Sequence, residues 1–439
     1  MNNVRDLPPM ALPWESEQVQ ARVKELSAQV PVHDPERLFE LLDNATKGAI
    51  ASFKRSASLY AGANILSDRA MRLASVELGS RPTLGSPGEK FPAGVDVVDI
   101  IEVAATEAVR VAMNSKFADV RLPTATLANL AVLTTLTEPG DTIAALPEAA
   151  GGHISHRTGA PRVRGLNVAT LPYDYETLDV DLRALPAFLA KERPKLLILG
   201  GSLMLRSHNL SGIAAIAHEH SLWVLYDASH VAGLIAGGRF QKPLDDGADI
   251  LTFSTYKSFG GPAGGAICTN NAALAERLSA AVYPALTANY DVGRLGPLAM
   301  AASELVARGS EYAELCIENA RQLGRSLMEC GLAVLGGEFG FTESHHLVLD
   351  VRTVGGGRLA SQKLAKAGIY LSPSVLPLND AESKLHGLRI GTQELTRRGF
   401  GPAAFKRLAQ LMAAVMHDQL DPDTAADDVA RLLNQGRDS

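Results

Sequence analysis

Between Val95 and about Asn270 the chain repeats one pattern: a short apolar or β-branched run, then a stretch with helical periodicity. The runs Thr142-Ile-Ala-Ala-Leu146, Lys195-Leu-Leu-Ile-Leu-Gly200, Leu222-Trp-Val-Leu-Tyr-Asp227 and Ile250-Leu-Thr-Phe-Ser-Thr255 lack the polar alternation of a half-exposed strand. Strands of this kind are buried on both faces, as in a parallel sheet whose crossovers carry helices. Thr126 to Thr137 and Leu210 to His220 read as such helices, and Gly264 to Thr269 offers a further strand. The expectation is an α/β fold in which a mostly parallel sheet lies between helices and ligands bind outside the carboxyl ends of the strands.

At 439 residues the chain exceeds the roughly 150 residues usual for one domain. Three parts are expected: a helical arm (1–58), a large domain (59–295), and a bridging helix with a small C-terminal α/β domain (296–439). Ser16 to Ser58 reads as amphipathic helix, with Leu38, Leu41, Leu42 and Ile50 at helical spacing. Leu78 to Gly94 is so rich in glycine and proline that no regular structure is expected there. A loop this long in a compact protein is usually functional. Gly296 to Cys330 reads as a long helix interrupted near Gly309. Beyond it come a strand at His346 to Val351, a helix at Ala360 to Ala367, a strand around Leu388, a helix at Pro402 to His417 and a short closing helix from Thr424 to Leu433.

Composition narrows the partners. With 42 Lys+Arg against 48 Asp+Glu the net charge is −6, so no broad basic surface is expected for nucleic acid. Cys268, Cys316 and Cys330 lack metal spacing and are too few for a disulfide framework, which suits a reducing cytoplasm. The segment Met1 to Gln18 has no basic region followed by an apolar stretch, and no apolar run approaches the roughly 20 residues of a membrane span. A cytoplasmic protein acting on small molecules, without a metal site, nucleic-acid partner or membrane, is expected.

The chemistry concentrates in Thr252-Phe-Ser-Thr-Tyr-Lys-Ser-Phe-Gly-Gly-Pro-Ala-Gly-Gly265. A lysine at the end of a buried strand is costly unless it is neutralised or used. When burial lowers its pKa it can form a Schiff base with an aldehyde. Thirty residues earlier, Tyr226-Asp-Ala-Ser-His-Val-Ala-Gly233 puts Asp227 at the end of the neighbouring strand and His230 just beyond. An acid facing a protonated pyridine nitrogen strengthens pyridoxal phosphate as an electron sink. Read singly, Asp227 is an ordinary strand-end acid and Lys257 an ordinary rim lysine; the spacing, strand context and following glycines together favour the cofactor.

These segments, with Gly387-Leu-Arg-Ile-Gly-Thr-Gln-Glu-Leu-Thr-Arg-Arg-Gly-Phe400, Gly151-Gly-His-Ile-Ser-His156 and Val98-Asp-Ile-Ile-Glu102, resemble serine hydroxymethyltransferase and its relatives, which are fold-type I pyridoxal-phosphate enzymes. The resemblance runs from about residue 60 to 418. It implies a seven-stranded, mostly parallel sheet in the large domain, a Schiff base on Lys257, and Asp227 paired with the pyridine nitrogen. His153 would stack on the ring, His230 would lie near the phenolic oxygen, and Arg389 would clamp the substrate carboxylate. Thr124, Ala125 and Thr126, in Pro123-Thr-Ala-Thr-Leu-Ala-Asn129, would receive the phosphate at a helix N-terminus. Taken alone, Thr124 and Thr126 would serve equally as helix caps, His153 as a loop histidine and Arg389 as the partner of a structural acid. The resemblance also implies a homodimer with shared active sites, reached by the Leu78–Gly94 loop and the Tyr283–Gly293 turn.

Departures from the family pattern bear on the reaction. Tyr256 stands where the family has histidine, and Ala263 where it has arginine. Pro82, Leu84, Phe91 and Pro92 replace a Tyr-x-Glu-Gly pair and two tyrosines, which removes the glutamate that works with folate-linked formaldehyde unless Glu89 replaces it. A serine expected near Gly62 is missing, and a short glycine-rich turn is expanded to Tyr283–Gly293. The expected function is Cα–Cβ cleavage or formation on a β-hydroxy-α-amino acid, of aldolase, transaldolase or hydroxymethyltransferase type, using amino acid and aldehyde substrates without the usual folate apparatus. His230, His153, Tyr256 and Glu89 are the candidate acid/base groups. A racemase or aminotransferase of a small amino acid is the alternative, and a cofactor-binding regulator a third reading.

Overall fold

The computed structural model describes residues 12–378 and 384–435. The start of the arm and the last four residues lie outside them. The chain divides after Ala57 into two units. The first carries helices α1 (Glu17–Ser27) and α2 (Pro35–Arg55), where one amphipathic run was expected. The break is local: Asp34 caps α2 by accepting from Arg37 N at 3.2 Å, and Pro35 occupies the first turn.

Residues 58–435 hold two principal sheets. The larger has β1 (Phe117–Asp119), β2 (Thr142–Ala145), β3 (Asn167–Thr170), β4 (Leu196–Gly200), β5 (Trp223–Asp227), β6 (Ile250–Ser254) and β7 (Gly265–Thr269), in the order β1-β7-β6-β5-β4-β2-β3. Every pairing is parallel except the two made by β7. The smaller sheet has β8 (Ala333–Val334), β9 (His346–Asp350), β10 (Ser372–Ser374) and β11 (Gly387–Gly391), ordered β8-β9-β11-β10. The helices that matter below are α3 (Asp99–Ala112), α4 (Ala125–Leu136), α5 (Leu210–Glu219), α6 (Leu295–Glu329), α7 (Gly357–Lys366), α8 (Pro402–Met416) and α9 (Pro422–Gln435).

The expected burial on both faces is realised residue by residue. Leu197, Leu199, Val224 and Tyr226 join the core on one face, and Leu196, Ile198 and Leu225 the core on the other, where Ala128 and Val132 of α4 pack. Each such side chain withdrawn from water contributes about 1.5–3 kcal/mol before entropy is charged against it. The same packing aligns the strand ends: Asp227 pairs in register with Gly200 on one side and Thr252 on the other.

Two expectations are corrected. The stretch from Leu78 to Gly94 is not irregular throughout, because Gly85–Ser86 and Glu89–Lys90 pair as an antiparallel hairpin. Helix α6 runs unbroken through Gly309. That glycine permits contact with Gly237, on which a Cβ would lie 2.3 Å from Gly309 O. Close approach of two backbones, and not a break, is why glycine stands there. Among the described residues no helix is long and apolar enough to cross a membrane.

Candidate active site

The carboxyl ends of β4, β5 and β6 open onto a cavity of about 180 Å³. Lys257, three residues past β6, and Asp227, the last residue of β5, both line it, with Tyr256 and His230 beside them. Thr124, Ala125 and Thr126 form another wall, and His153 and Ser202 close further sides. The structure thus gathers all eight of the proposed cofactor and catalytic positions around one space. Arg389, on β11, reaches it from the smaller sheet, donating from a guanidinium nitrogen to Ser202 O at 2.6 Å. Glu89 does not join them within this chain; it lies exposed in the hairpin.

Lys257 is 9 % exposed, and its Nζ lies 3.1 Å from His230 Nε2. Burial, with the nearby Arg389 charge, lowers its pKa to about 8 against the opposing pull of Asp227. The carboxylate of Asp227 is equally enclosed. Burial works to raise its pKa, but the His156 hydrogen bond and charge, with donors on Ser229 and Asn129, hold it well below the usual range. The distances are 2.7 Å from Oδ2 to His156 Nε2, 2.8 Å to Asn129 Nδ2, and 2.9 Å from Oδ1 to Ser229 N. Asn129 also accepts from Thr252 Oγ1 at 2.7 Å and donates to Ser155 Oγ at 3.0 Å, which in turn lies 2.7 Å from His153 Nδ1. One network therefore fixes the acid and the histidine across the cavity.

His153 and His230 are both kept neutral. Burial leads in each case: it lowers His153 to about 4, helped by His156, and drives His230 down with the help of Lys257 and Arg389. His230 Nδ1 is buried without a partner among the described residues. At α4, Thr124 Oγ1 accepts from Leu127 N at 3.2 Å, so its hydroxyl caps the helix while the backbone N–H groups of the first turn border the cavity. A Cβ on Gly265 would lie 2.4 Å from Thr124 O, so its absence lets β7 press against that turn.

Asn129, Ser155 and His156 were not singled out from the sequence. His156 closes the Gly151–His156 segment and Asn129 the Pro123–Asn129 segment, but their convergence on Asp227 depends on α4 and β5 meeting in space. His346 is also new, its ring 5.1 Å from that of His230.

The residues fit pyridoxal phosphate. A lowered-pKa amine, a charged buried acid opposite neutral histidines, and helix N–H groups surround one cavity, and His230 Nδ1 has no protein partner. Comparison with known proteins decides the family. The serine hydroxymethyltransferase family model matches residues 35–412. The chain belongs to the serine hydroxymethyltransferase family. Members of this serine hydroxymethyltransferase family are enzymes, and the cofactor is pyridoxal phosphate. Among curated relatives, an alpha-methylserine aldolase of Variovorax paradoxus is 40% identical over 360 residues, covering 82% of each chain. A serine hydroxymethyltransferase of Korarchaeum cryptofilum is 37% identical over 400 residues, covering 88% of this chain and 92% of its own. The crystal structure of L-threonine transaldolase from Pseudomonas fluorescens in its internal aldimine state superposes with a TM-score of 0.83 at 26% identity, covering 95% of this chain and 94% of that one. The fold is accordingly that of fold-type I pyridoxal-phosphate enzymes.

Proposed function

We propose that the protein catalyses aldol-type cleavage and formation of the Cα–Cβ bond of β-hydroxy-α-amino acids, without using tetrahydrofolate in the usual way. One observation carries this reading: Lys257 and Asp227 line one cavity and Arg389 donates to Ser202 on its wall, while the Pro82–Pro92 segment holds no tyrosine and has Glu89 as its one glutamate, outside the cavity. The similarity to an alpha-methylserine aldolase and an L-threonine transaldolase supports it.

Bound pyridoxal phosphate supplies an electron sink for the charge left on Cα when one of its bonds breaks. Thr124, Ala125 and Thr126 would hold its phosphate, His153 would lie against its ring, Asp227 would pair with its ring nitrogen, and Lys257 would hold it covalently. Arg389 grips the substrate carboxylate, since a fixed guanidinium suits a two-point contact with it. That grip decides which Cα bond is cleaved. A base takes the β-hydroxyl proton, the C–O bond becomes a carbonyl, the Cα–Cβ bond breaks and the aldehyde leaves; the reverse sequence joins an acceptor aldehyde. His230 and His153 are suited to accept that proton because burial holds both neutral near pH 7. Tyr256 is a third candidate. Glu89 would act only from a second copy of the chain.

Purified holoenzyme is to be given α-methylserine, threonine, phenylserine, alanine, and serine with or without tetrahydrofolate, with aldehyde release and Cα–H exchange both measured. Aldehyde from a β-hydroxy acid without tetrahydrofolate is the expected result. Exchange or inversion of alanine with no aldehyde from any donor would replace the proposal by a racemase or aminotransferase. A large domain (59–295), a bridging helix with a small domain (296–439), a cytoplasmic location and a homodimer with shared sites complete the reading.

A further inference from the structure

The segment Leu59–Asn64 is strapped between the two residues the reaction needs most. At one end Leu59 O accepts from Gly391 N at 2.9 Å, two residues along β11 from Arg389. Gln393 Nε2 then donates to Tyr60 O at 2.9 Å and Ala63 O at 2.7 Å. At the other end Asn64 Nδ2 donates to the carbonyl of Lys257 at 2.9 Å and to Tyr312 Oη at 3.0 Å. The segment therefore borders the space between the carboxylate clamp and the lysine.

On it, Gly62 has no side chain and Tyr60 takes up the room. A Cβ on Gly62 would stand 2.9 Å from Tyr60 Cε1 and 3.0 Å from Tyr60 Oη. The phenol is thus folded back over the position a residue-62 side chain would otherwise occupy. Its hydroxyl has no hydrogen-bond partner among the described residues, the residue is 41% exposed, and it lies close enough to Arg389 that an ionised phenol there would oppose the lowering of the Arg389 pKa by burial. A phenol is a neutral donor at ordinary pH and adds one directed hydrogen bond to a carboxylate. Arg389, for its part, spends one guanidinium nitrogen on Ser202 O and keeps a buried Nε without a partner. Each carboxylate oxygen has two lone pairs, so one that meets the guanidinium can also accept from a phenol.

We infer that Tyr60 is the second ligand of the amino-acid carboxylate, its hydroxyl donating beside Arg389, and that Gly62 is required because it leaves the ring its place. The inference rests on the proposed use of amino-acid substrates. It also makes Tyr60 a specificity residue: it selects for a free α-carboxylate.

The test uses holoenzyme and reads binding from the change in the visible cofactor spectrum, with glycine as the probe and glycinamide as the control lacking a carboxylate. Tyr60→Phe is expected to weaken glycine binding about tenfold, the scale of one hydrogen bond to a charged group, while glycinamide affinity and cofactor content stay as they were. Gly62→Ser is expected to impair glycine binding similarly, because its Cβ displaces the ring. Unchanged glycine affinity in Tyr60→Phe, equal losses for glycine and glycinamide, or loss of cofactor would each overturn the assignment. No turnover is involved, so failure of the aldol reading would appear separately, as absence of aldehyde from every donor.

Discussion

Lys257 makes the pH behaviour of the site predictable at the scale of single residues. A pKa lowered from the ordinary 10.5 to about 8 leaves roughly half the amine neutral at pH 8, where an exposed lysine would be almost wholly charged. Uptake of pyridoxal phosphate by cofactor-free protein should therefore rise as pH increases through about 8 and level off above it, followed by visible absorbance. Asp227 has the opposite sense. Its ionised form is held by His156, Asn129 and Ser229, so the stability it contributes is present above the ordinary carboxylate pKa and is lost only as pH falls through its depressed value. Asn129→Ala removes one donor and should raise that pKa, so acid unfolding should begin at higher pH. An acid-unfolding profile identical to that of the unaltered protein would show that Asn129 does not hold the carboxylate. Arg389→Ala should raise the KM for the amino acid by about 10- to 100-fold with little change in cofactor affinity, as expected for a charge-assisted contact to substrate alone. Lys257, Asp227 and His230 were legible in the sequence because their spacing is set by two adjacent strands. His156 and Asn129 were not, because nothing local distinguishes a histidine that meets an acid 71 residues away.

At the scale of elements, what could be read depended on burial. Strands β4, β5 and β6 are covered on both faces and are continuous apolar runs, so their limits fall within a residue of expectation. Strands β1 and β3 lie at the edges of the sheet and are partly exposed. Phe117-Ala-Asp119 and Asn167-Val-Ala-Thr170 carry the polar residues such edges tolerate, and no apolar run marks them. Gly309 was misread for a related reason, since its meaning lies in a neighbouring segment. Gly237→Ala should lower stability by about 1–3 kcal/mol in urea unfolding, because its Cβ would meet the rigid Gly309 carbonyl within α6. A midpoint unchanged from the parent would mean that the two segments separate at little cost.

For the whole molecule, the two segments that depart most from the family pattern meet at one buried acid. Lys90 Nζ, in the hairpin, lies 2.5 Å from Glu102 Oε2, and Tyr290 Oη, in the expanded turn, donates to Glu102 Oε1 at 2.7 Å. Glu102 is 5 % exposed, and without it the buried Lys90 amine keeps only Asp99 at 3.7 Å and the carbonyls of Thr83 and Gly85. Glu102→Ala should destabilise the protein by several kcal/mol and, if the homodimer proposal holds, weaken association measured by sedimentation. The joint has a practical consequence for anyone wishing to redirect the enzyme. Loop 82–92 and turn 283–293 are fastened to the same acid of α3, so they are not interchangeable parts. A loop grafted from a folate-using relative would arrive without its matching turn, and a successful transplant has to carry hairpin and turn together onto the Glu102 that both meet.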